Sequence, residues 1–340
     1  MDRHRLESLL ARFSDLTVLV VGDFFLDKYL VIERRLAEIS LETGLEAHQV
    51  VDTYCSAGAA GTVTNNLRTL GVHVIALGAI GDDGEGYELK RALRAVGADV
   101  ERLIECADRF TPTYTKPLLR EVEGARHELN RLDIKNRTQL PAEVDDRIIA
   151  RLRETLPRIH GVVIADQVSE ANCGVITDRV RADLCALARA HPGTVFAADS
   201  RERIGLFQDV ILKPNAREAV RAVQPAGHAV DRNAVEACGL TLAAHAHRPV
   251  FVTLGAEGIL LFDRDRIEHV PTRPATGPID PVGAGDSVMA GLVSSLCAGA
   301  SLREAAQIGN LVASVTIRQI GTTGAASTDQ VLSAFFDQDS

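Results

Sequence analysis

Short apolar stretches alternate along the chain with longer amphipathic ones. Six runs rich in valine and isoleucine carry few polar residues on either face, as strands buried on both sides of a sheet do; they are residues 17–22, 72–77, 161–165, 194–198, 210–212 and 249–254. Four segments between them have apolar residues at helical spacing, namely residues 87–96, 143–156, 175–189 and 231–245. This alternation predicts an α/β fold whose mostly parallel sheet is covered by helices on both faces.

Residues 29–57 and 109–134 interrupt the alternation. The first region contains alternating stretches and no convincing helix, and the second predicts a hairpin with its turn near Glu123-Gly124. We expect one domain over residues 1–340, in which these two regions combine into a small β lid that excludes water from the main sheet's edge. The alternative interpretation is that both regions are edge strands.

The charge of the chain argues against nucleic acid as a partner. The 340 residues include 37 lysines and arginines against 46 aspartates and glutamates, which gives a net charge of −9, and the basic residues form no stripe. Binding along a phosphate backbone requires a clustered positive field. A small anionic ligand is still compatible with this balance, because a single helix N-terminus can hold a phosphate.

Cysteine usage and hydropathy predict a cytoplasmic protein. The six cysteines are scattered without a CxxC pair, as is typical of free thiols in a reducing compartment. The N-terminal stretch is a charged amphipathic helix that lacks the apolar core of a signal peptide. No apolar run approaches the ~20 residues that a membrane-spanning helix requires, so we expect no membrane contact.

A glycine-rich turn near the C-terminus is the most informative feature. Gly283-Ala284-Gly285 precedes a run of small apolar residues with helical propensity, so the turn lies at a helix N-terminus. Backbone N–H groups and the helix dipole there favour an anion, including the charge on a phosphoryl group in transfer. Asp286 lies in the first helical turn, where its carboxylate can accept a hydroxyl proton. The alternative is an ordinary turn with Asp286 as a helix cap.

Two other phosphate-binding motifs are excluded by the same sequence. None of the five lysines follows a glycine, so the chain contains no GxxxxGK[ST] loop. The first predicted strand runs into Gly22-Asp23-Phe24-Phe25 and not into GxGxxG, which argues against a dinucleotide-binding fold.

The longer pattern around this turn, DPVGAGDxxxAGLV over residues 280–293, resembles the signature of the PfkB, or ribokinase-like, carbohydrate kinases. Further matching segments follow in family order from residue 18 to about residue 325. The resemblance implies a three-layer α/β/α domain with a small β lid, and ATP and Mg²⁺ as cofactors. It also implies phosphoryl transfer to a sugar hydroxyl with Asp286 as general base, next to the anion hole of Gly283, Ala284 and Gly285.

The resemblance assigns a sugar-binding role to the N-terminal part. Asp27 matches the family's substrate-binding aspartate, although an aspartate is also common in strand-end turns. Gly58 and Thr62 lie in a segment similar to the family's N-terminal glycine-rich motif, with Thr62 where asparagine is usual. Small residues there also suit a helix that packs tightly. Arg131, on the expected lid, is a candidate contact for a substrate phosphate or hydroxyl.

The resemblance assigns nucleotide binding to later segments. Lys213, Asn215 and Glu218 belong to a segment like the family's NxxE motif, in which Glu218 helps to place Mg²⁺ through water. The spacing of the last two also fits a capping box. The nucleotide-binding turn is matched by Thr253, Gly255 and Gly258, and Asn310 matches a position facing the adenine; a solvated helix residue is the alternative for Asn310.

Within the family, the heptose-7-phosphate kinase branch is the most similar. Residues 20–29, 111–116 and 131–133 and the closing Gly321-Thr322 carry this likeness. The chain departs from that branch at Asp166-Gln167-Val168-Ser169, at Thr62 and at Pro281, all expected near the substrate. The alternatives left open are a kinase of the same fold for fructose, ribose, a hexose phosphate or a nucleoside, and a catalytically silent regulator. The resemblance also allows a monovalent cation and a homodimer formed through the lid.

Overall fold

The computed structural model of the chain describes residues 1–122, 124–224, 230–272, 275, 277–321 and 323–336. Two residues named above, Glu123 and Thr322, lie outside these ranges. The described residues form ten α-helices, which are α1 (Arg3–Leu10), α2 (Ala60–Thr69), α3 (Gly84–Ala95), α4 (Ala142–Thr155), α5 (Asp178–Ala190), α6 (Ala216–Val223), α7 (Arg232–Ala246), α8 (Ala284–Cys297), α9 (Leu302–Thr316) and α10 (Thr328–Phe336).

The same residues form sixteen strands. They are β1 (Thr17–Gly22), β2 (Phe24–Glu33), β3 (Glu38–Ile39), β4 (Glu46–Ala47), β5 (Val50–Ala59), β6 (His73–Gly81), β7 (Leu103–Cys106), β8 (Thr113–Arg120), β9 (Arg126–Glu128), β10 (Leu132–Ile134), β11 (Gly161–Asp166), β12 (Val195–Ser200), β13 (Ile211–Leu212), β14 (Val250–Thr253), β15 (Ile259–Asp263) and β16 (Arg266–Val270).

Nine strands build a central sheet in the order β16-β15-β14-β13-β12-β11-β1-β6-β7. The pairs from β14 to β7 are parallel, and β15 and β16 are added antiparallel at one edge. The six apolar runs all become strands of this sheet, so that prediction is confirmed. Strand β6 extends four residues beyond the predicted end, to Gly81, because its last part pairs with β7.

Helices cover both faces of the central sheet, as expected for strands without a polar face. Alternate residues of β1 enter different cores: Val18 and Val20 pack in one, Leu19 and Val21 in the other. The first core includes buried residues of α1, α2, α3, α8, α9 and α10. The second core includes those of α4, α5, α6 and α7. The arrangement is therefore a three-layer α/β/α domain.

The predicted helix over residues 175–189 begins later than its apolar pattern suggested. Helix α5 starts at Asp178 because the side chain of Thr177 caps it, accepting a hydrogen bond of 3.1 Å from the amide of Val180. Val175 and Ile176 precede the helix and are buried in the second core. Apolar residues before a helix can thus extend its sequence pattern without belonging to it.

A second, five-stranded sheet lies next to the carboxyl ends of the central strands. Its order is β10-β8-β2-β5, with β9 also paired to β8. Strand β2 follows β1 after only Asp23, and β5 leads directly into α2. The hairpin expected over residues 109–134 is present as β8 and β9, and β10 returns along the start of β8. The two regions that interrupted the alternation therefore meet in one sheet.

In the described part of the chain, no helix is long and apolar enough to cross a bilayer.

Candidate active site

The glycine-rich turn forms the N-terminus of α8, as its sequence predicts. Gly283 precedes the helix with a φ of +82°, in the left-handed region that favours glycine. The amide of Ala284 donates to the carbonyl of Pro281 at 3.1 Å. Within the described ranges, the amides of Gly285 and Asp286 have no such acceptor. The expected anion hole therefore has fewer available amides than the sequence suggested, because the Ala284 amide is already hydrogen-bonded within the turn.

Thr62 lies against this turn. A Cβ added to Gly283 would be 3.4 Å from the Cγ2 atom of Thr62, which is 3% exposed in the first turn of α2. One turn further along α2, Asn66 accepts a hydrogen bond of 3.1 Å from the hydroxyl of Ser287. The buried start of α2 therefore supports the start of α8.

Lys213 brings a buried positive charge to the turn. Its ammonium lies 2.8 Å from a carboxylate oxygen of Asp199, and the residue is 3% exposed. A Cβ added to Gly285 would be 3.5 Å from the same ammonium nitrogen. Burial alone would lower the pKa of Lys213, but Asp199, Glu218 and Asp286 raise it above its ordinary value. The ammonium therefore stays charged beside the two amides.

Asp286 has the acid–base properties that proton transfer requires. Its pKa is raised to about 7, mainly because the surrounding protein removes the carboxylate from water, and next because Asp199 carries a like charge. The positive charges of Lys213 and Arg201 oppose this rise. A group with a pKa near the working pH is well matched to accept a proton in a reaction.

An open cleft brings these groups together with the predicted NxxE segment. Its lining includes Gln167, Ser169, Asp199, Arg201, Lys213, Asn215, Glu218, Thr253, Gly283, Gly285 and Asp286. Asn215 and Glu218 form the capping box of α6, with hydrogen bonds of 2.8 and 2.9 Å. Burial and the nearby Asp199 raise the pKa of Glu218. The capping and cleft-lining interpretations of this pair are therefore compatible.

The carboxylates of the cleft suit a hydrated cation better than a directly bound one. Among the described residues, no group of three or more histidine, cysteine, aspartate or glutamate side chains converges on a metal position. Asp199, Glu218 and Asp286 nevertheless line one cleft, and two of them have raised pKa values caused by burial and by their neighbours' charge. Mg²⁺ commonly keeps several waters and takes few protein ligands. The donor set therefore fits Mg²⁺ carried by a phosphate.

A neighbouring pocket contains the residues predicted to bind a nucleotide. Thr253, Gly255, Gly258 and Asn310 line it together with Ala284 and Gly285, and much of the remaining lining is apolar, including Ala275, Ile279, Val288, Ala313 and Ile317. Asn310 is 8% exposed, and its amide donates to the carbonyl of Val270 at 3.0 Å. The solvated alternative for Asn310 is therefore wrong. Because Thr253 and Gly285 line both spaces, this pocket opens into the cleft.

Asp27, the aspartate predicted to bind the sugar, is part of a close contact in the second sheet. Asp27 is 7% exposed, and one of its carboxylate oxygens lies 3.0 Å from the ammonium of Lys116. A Cβ added to Gly58 would lie 2.8 Å from its other oxygen. Gly58 thus leaves room for the carboxylate across the β2–β5 pair. Lys116 was missed as a site residue, because its pairing depends on the register between β2 and β8.

Arg131 contacts two neighbouring side chains of the second sheet. Its guanidinium donates two hydrogen bonds, of 2.6 and 2.9 Å, to the carboxylate of Asp133. The same group lies over the ring of Tyr114, at 4.2 Å from the centroid. The structure thus does not bring Arg131 together with the residues around Asp286.

Asp199 and Arg201 are cleft residues that sequence reasoning missed. Asp199 is in the last part of β12 and Arg201 comes directly after this strand, which pairs in parallel with β11 and β13. Charged residues at the end of a buried strand are a signal that could have found them, because ligands of open α/β sheets bind at the carboxyl ends of strands.

Comparison with known proteins agrees with this geometry. Residues 17–329 match the pfkB family of carbohydrate kinases. The chain is 31% identical over 340 residues to bifunctional protein HldE of Geobacter metallireducens, covering 99% of this chain and 66% of that protein. It is 29% identical over 325 residues to bifunctional protein HldE of Geotalea uraniireducens, covering 95% and 64%. The chain therefore spans about two thirds of the length of these relatives.

Solved structures share the fold at low sequence identity. Phosphofructokinase-2 from Escherichia coli in complex with potassium has a TM-score of 0.70 at 17% identity, covering 96% of this chain and 100% of that one. Ribokinase from Arabidopsis thaliana complexed with ribose and ATP has a TM-score of 0.65 at 17% identity, covering 94% and 98%. The predicted ribokinase-like fold is thereby confirmed. Because the family match extends over nearly the whole chain, this protein belongs to the pfkB family of carbohydrate kinases.

Proposed function

We propose that this chain transfers the terminal phosphoryl group of ATP to a hydroxyl of a sugar or sugar phosphate. The observation that carries the proposal is the position of Asp286. Its carboxylate, with a pKa of about 7, lies at the start of α8 beside two amides without acceptors in the described chain and a buried ammonium. An apolar pocket for a base opens into the same cleft.

In the proposed reaction, the acceptor oxygen bonds to the terminal phosphorus of ATP. The bond from that phosphorus to the bridging oxygen breaks, and its electron pair leaves with ADP. Asp286 accepts the hydroxyl proton, while the amides of Gly285 and Asp286 and the ammonium of Lys213 stabilise negative charge on the phosphoryl oxygens. Mg²⁺, when bound, neutralises charge on the nucleotide phosphates; Asp199 and Glu218 would hold it, Glu218 through water.

The second sheet supplies the acceptor side. Asp27, supported by Lys116 and Gly58, would bind sugar hydroxyls, and the sheet as a whole would act as the lid that excludes water from the phosphoryl group. Thr62 supports the turn at Gly283. Heptose 7-phosphate is the best candidate acceptor, because the segments that resemble the heptose-7-phosphate kinase branch agree with the HldE relatives found across the chain.

The experiment is ADP release from MgATP over a panel of acceptors. The panel contains free sugars, sugar phosphates including heptose 7-phosphate, and nucleosides. Asp286→Asn is measured in parallel, with Asp265→Asn in an exposed turn as the control of equal charge change. We expect one class of acceptor to give turnover that Asp286→Asn reduces by ~10²–10⁴ and that Asp265→Asn leaves unchanged. Near wild-type turnover in Asp286→Asn would refute the assigned base, and silence over the whole panel with ATP still bound would favour a regulator.

A further inference from the structure

A second pocket lies beside the cleft, on the acceptor side of the proposed site. It is enclosed by the end of β1, the start of the second sheet and the segment of residues 167–175, which joins β11 to α5. Its lining includes Asp23, Arg109, Tyr114, Lys135, Glu170 and Arg201. We call it the far pocket. None of the sugar-binding residues predicted from the sequence is in its lining.

Three basic side chains face the far pocket without a counter-ion. In the described part of the chain, Arg109, Lys135 and Arg201 form no ion pair with a carboxylate, whereas the nearby Lys116 and Arg131 each do. Arg109 is half-buried, and its guanidinium donates only to backbone carbonyls, including those of Thr138 and Gln139 at 3.2 Å each. Burial lowers the pKa of Arg109 accordingly. An anion in this pocket would offset that unfavourable burial.

The acidic residues of the pocket offset this charge only in part. Two acids, Asp23 and Glu170, line the pocket with the three basic residues. The carboxylate of Asp23 is turned to the backbone and accepts hydrogen bonds from the amides of Gln167, Val168 and Val175 at 2.8, 3.0 and 2.7 Å. Burial, and next the charge of Asp166, raise its pKa to about 6. Asp23 therefore holds both ends of the 167–175 segment in place, and the lining has three basic residues against two acidic ones.

Arg201 connects the far pocket to the cleft that contains Asp286. Gln167, Ser169 and Arg201 line both spaces, and the guanidinium of Arg201 donates to the side-chain oxygen of Gln167 at 2.9 Å. Burial raises the pKa values of Asp286 and Tyr114, and the positive charge of Arg201 opposes the rise at both. Arg201 thus acts electrostatically on groups in both spaces. Because the two spaces share three lining residues, they adjoin, and we expect one acceptor molecule to reach from Asp286 into the far pocket.

We infer that the far pocket binds the phosphate at the non-reacting end of a phosphorylated acceptor, with Arg201 and Lys135 as its direct ligands. Arg109 supplies a fixed positive charge in the wall, and Tyr114 limits the pocket on the side of the second sheet. This inference rests on the proposed kinase activity and narrows its substrate to sugar phosphates. It also replaces Arg131 as the expected phosphate contact, because Arg131 is paired with Asp133 through two of its N–H groups and does not line the far pocket.

The test compares a phosphorylated acceptor with its free sugar, using heptose 7-phosphate and the corresponding heptose as probes. The variants are Arg201→Met, Lys135→Met and their combination, with Arg137→Met as the control from the same loop. Because a hydrogen bond to a charged group contributes about 1.5–3 kcal/mol, each site variant should raise KM for the phosphorylated acceptor ~10–100-fold. For Lys135→Met, whose residue lines the far pocket and not the cleft of Asp286, we expect KM for ATP, KM for the free heptose and the melting temperature to change little. Arg201→Met should in addition shift the pH dependence of kcat to higher pH, because the charge of Arg201 lowers the pKa of Asp286.

Equal increases in KM for the phosphorylated and the free sugar would overturn the inference, as would an equal effect of Arg137→Met. Calorimetric binding of heptose 7-phosphate separates this result from a failure of the kinase proposal, because it requires no turnover. Binding by the wild type that the double variant loses supports the far pocket even without activity. Binding that the double variant retains, or a wild type that binds heptose 7-phosphate no better than heptose, refutes it.

Discussion

Replacing Asp286 with asparagine should slow the enzyme and stabilise its fold at the same time. In the folded protein the pKa of Asp286 is raised from 3.8 to about 7 by burial and by the charge of Asp199. The folded state therefore binds a proton more tightly than the unfolded state does. Its contribution to stability is fully present below about pH 4 and is lost as the pH rises to about 7. Asparagine cannot ionise, so Asp286→Asn should not lose this stability.

The size of the gain follows from the shift in pKa. A change from 3.8 to about 7 corresponds to at most ~4 kcal/mol between the two protonation states. Asp286 as a whole is only partly buried in the open cleft, which reduces the effect, so we expect about 1–3 kcal/mol at pH 8. The gain should be much smaller at pH 4. The same substitution should lower kcat by a factor of ~10²–10⁴, because it removes the general base.

Urea unfolding of the wild type, Asp286→Asn and Asp265→Asn at pH 4 and pH 8 measures the difference. A stability gain for Asp286→Asn that is equal at both pH values would refute a raised pKa, because only an ionisable group links the gain to pH. The rate provides an independent check. For the wild type, kcat/KM should rise with pH through about 7, since Asp286 must be ionised to accept a proton. A profile that is flat between pH 6 and pH 8 would contradict its role as the base.

Two further substitutions test the two sides of the site. Gly58→Ala places a Cβ 2.8 Å from the carboxylate of Asp27 and should raise KM for the acceptor about 10-fold, or ~1.4 kcal/mol, without changing KM for ATP; Gly84→Ala, whose Cβ meets nothing within 4 Å, is the control. Lys213→Met leaves Asp199 without its partner at 2.8 Å and should destabilise the fold by ~3–5 kcal/mol. It should also shift the rising limb of the pH–rate profile to higher pH, because the charge of Lys213 lowers the pKa of Asp286. An unshifted limb would show that Lys213 does not act on the acidity of Asp286.

The sequence was sufficient to predict the strands of the central sheet and the start of α8. A strand buried on both faces is a continuous apolar run in the sequence, so it can be recognised without knowing its neighbouring strands. Residues 17–22 are an example. The turn at Gly283 was predictable for a similar reason, because a left-handed residue, a helix start and an acid in the first turn are all local properties of the chain. The NxxE pair was also found from local spacing, since a capping box joins residues three apart.

Charge pairing across the site depended on the tertiary structure. Asp27 and Lys116 are far apart in sequence and meet only because β2 and β8 pair in parallel at one register. Arg131 fitted a phosphate ligand by residue type, but the return of β10 along β8 places it over Tyr114 and against Asp133. A side chain's partner is set by which strands become neighbours, and periodicity does not carry that information.

The sequence by itself determined the fold class, the family and the position of the expected base, because each of these depends on local patterns of hydrophobicity, glycine and charge. Only the tertiary structure decided which charges surround that base and which pocket remains positive. Arg201 lines both the cleft of Asp286 and the far pocket, because it follows β12, which lies between β11 and β13 in the sheet. Electrostatic effects act over distances in space, so the acidity of Asp286 and the proposed phosphate site could be derived only once the chain was folded.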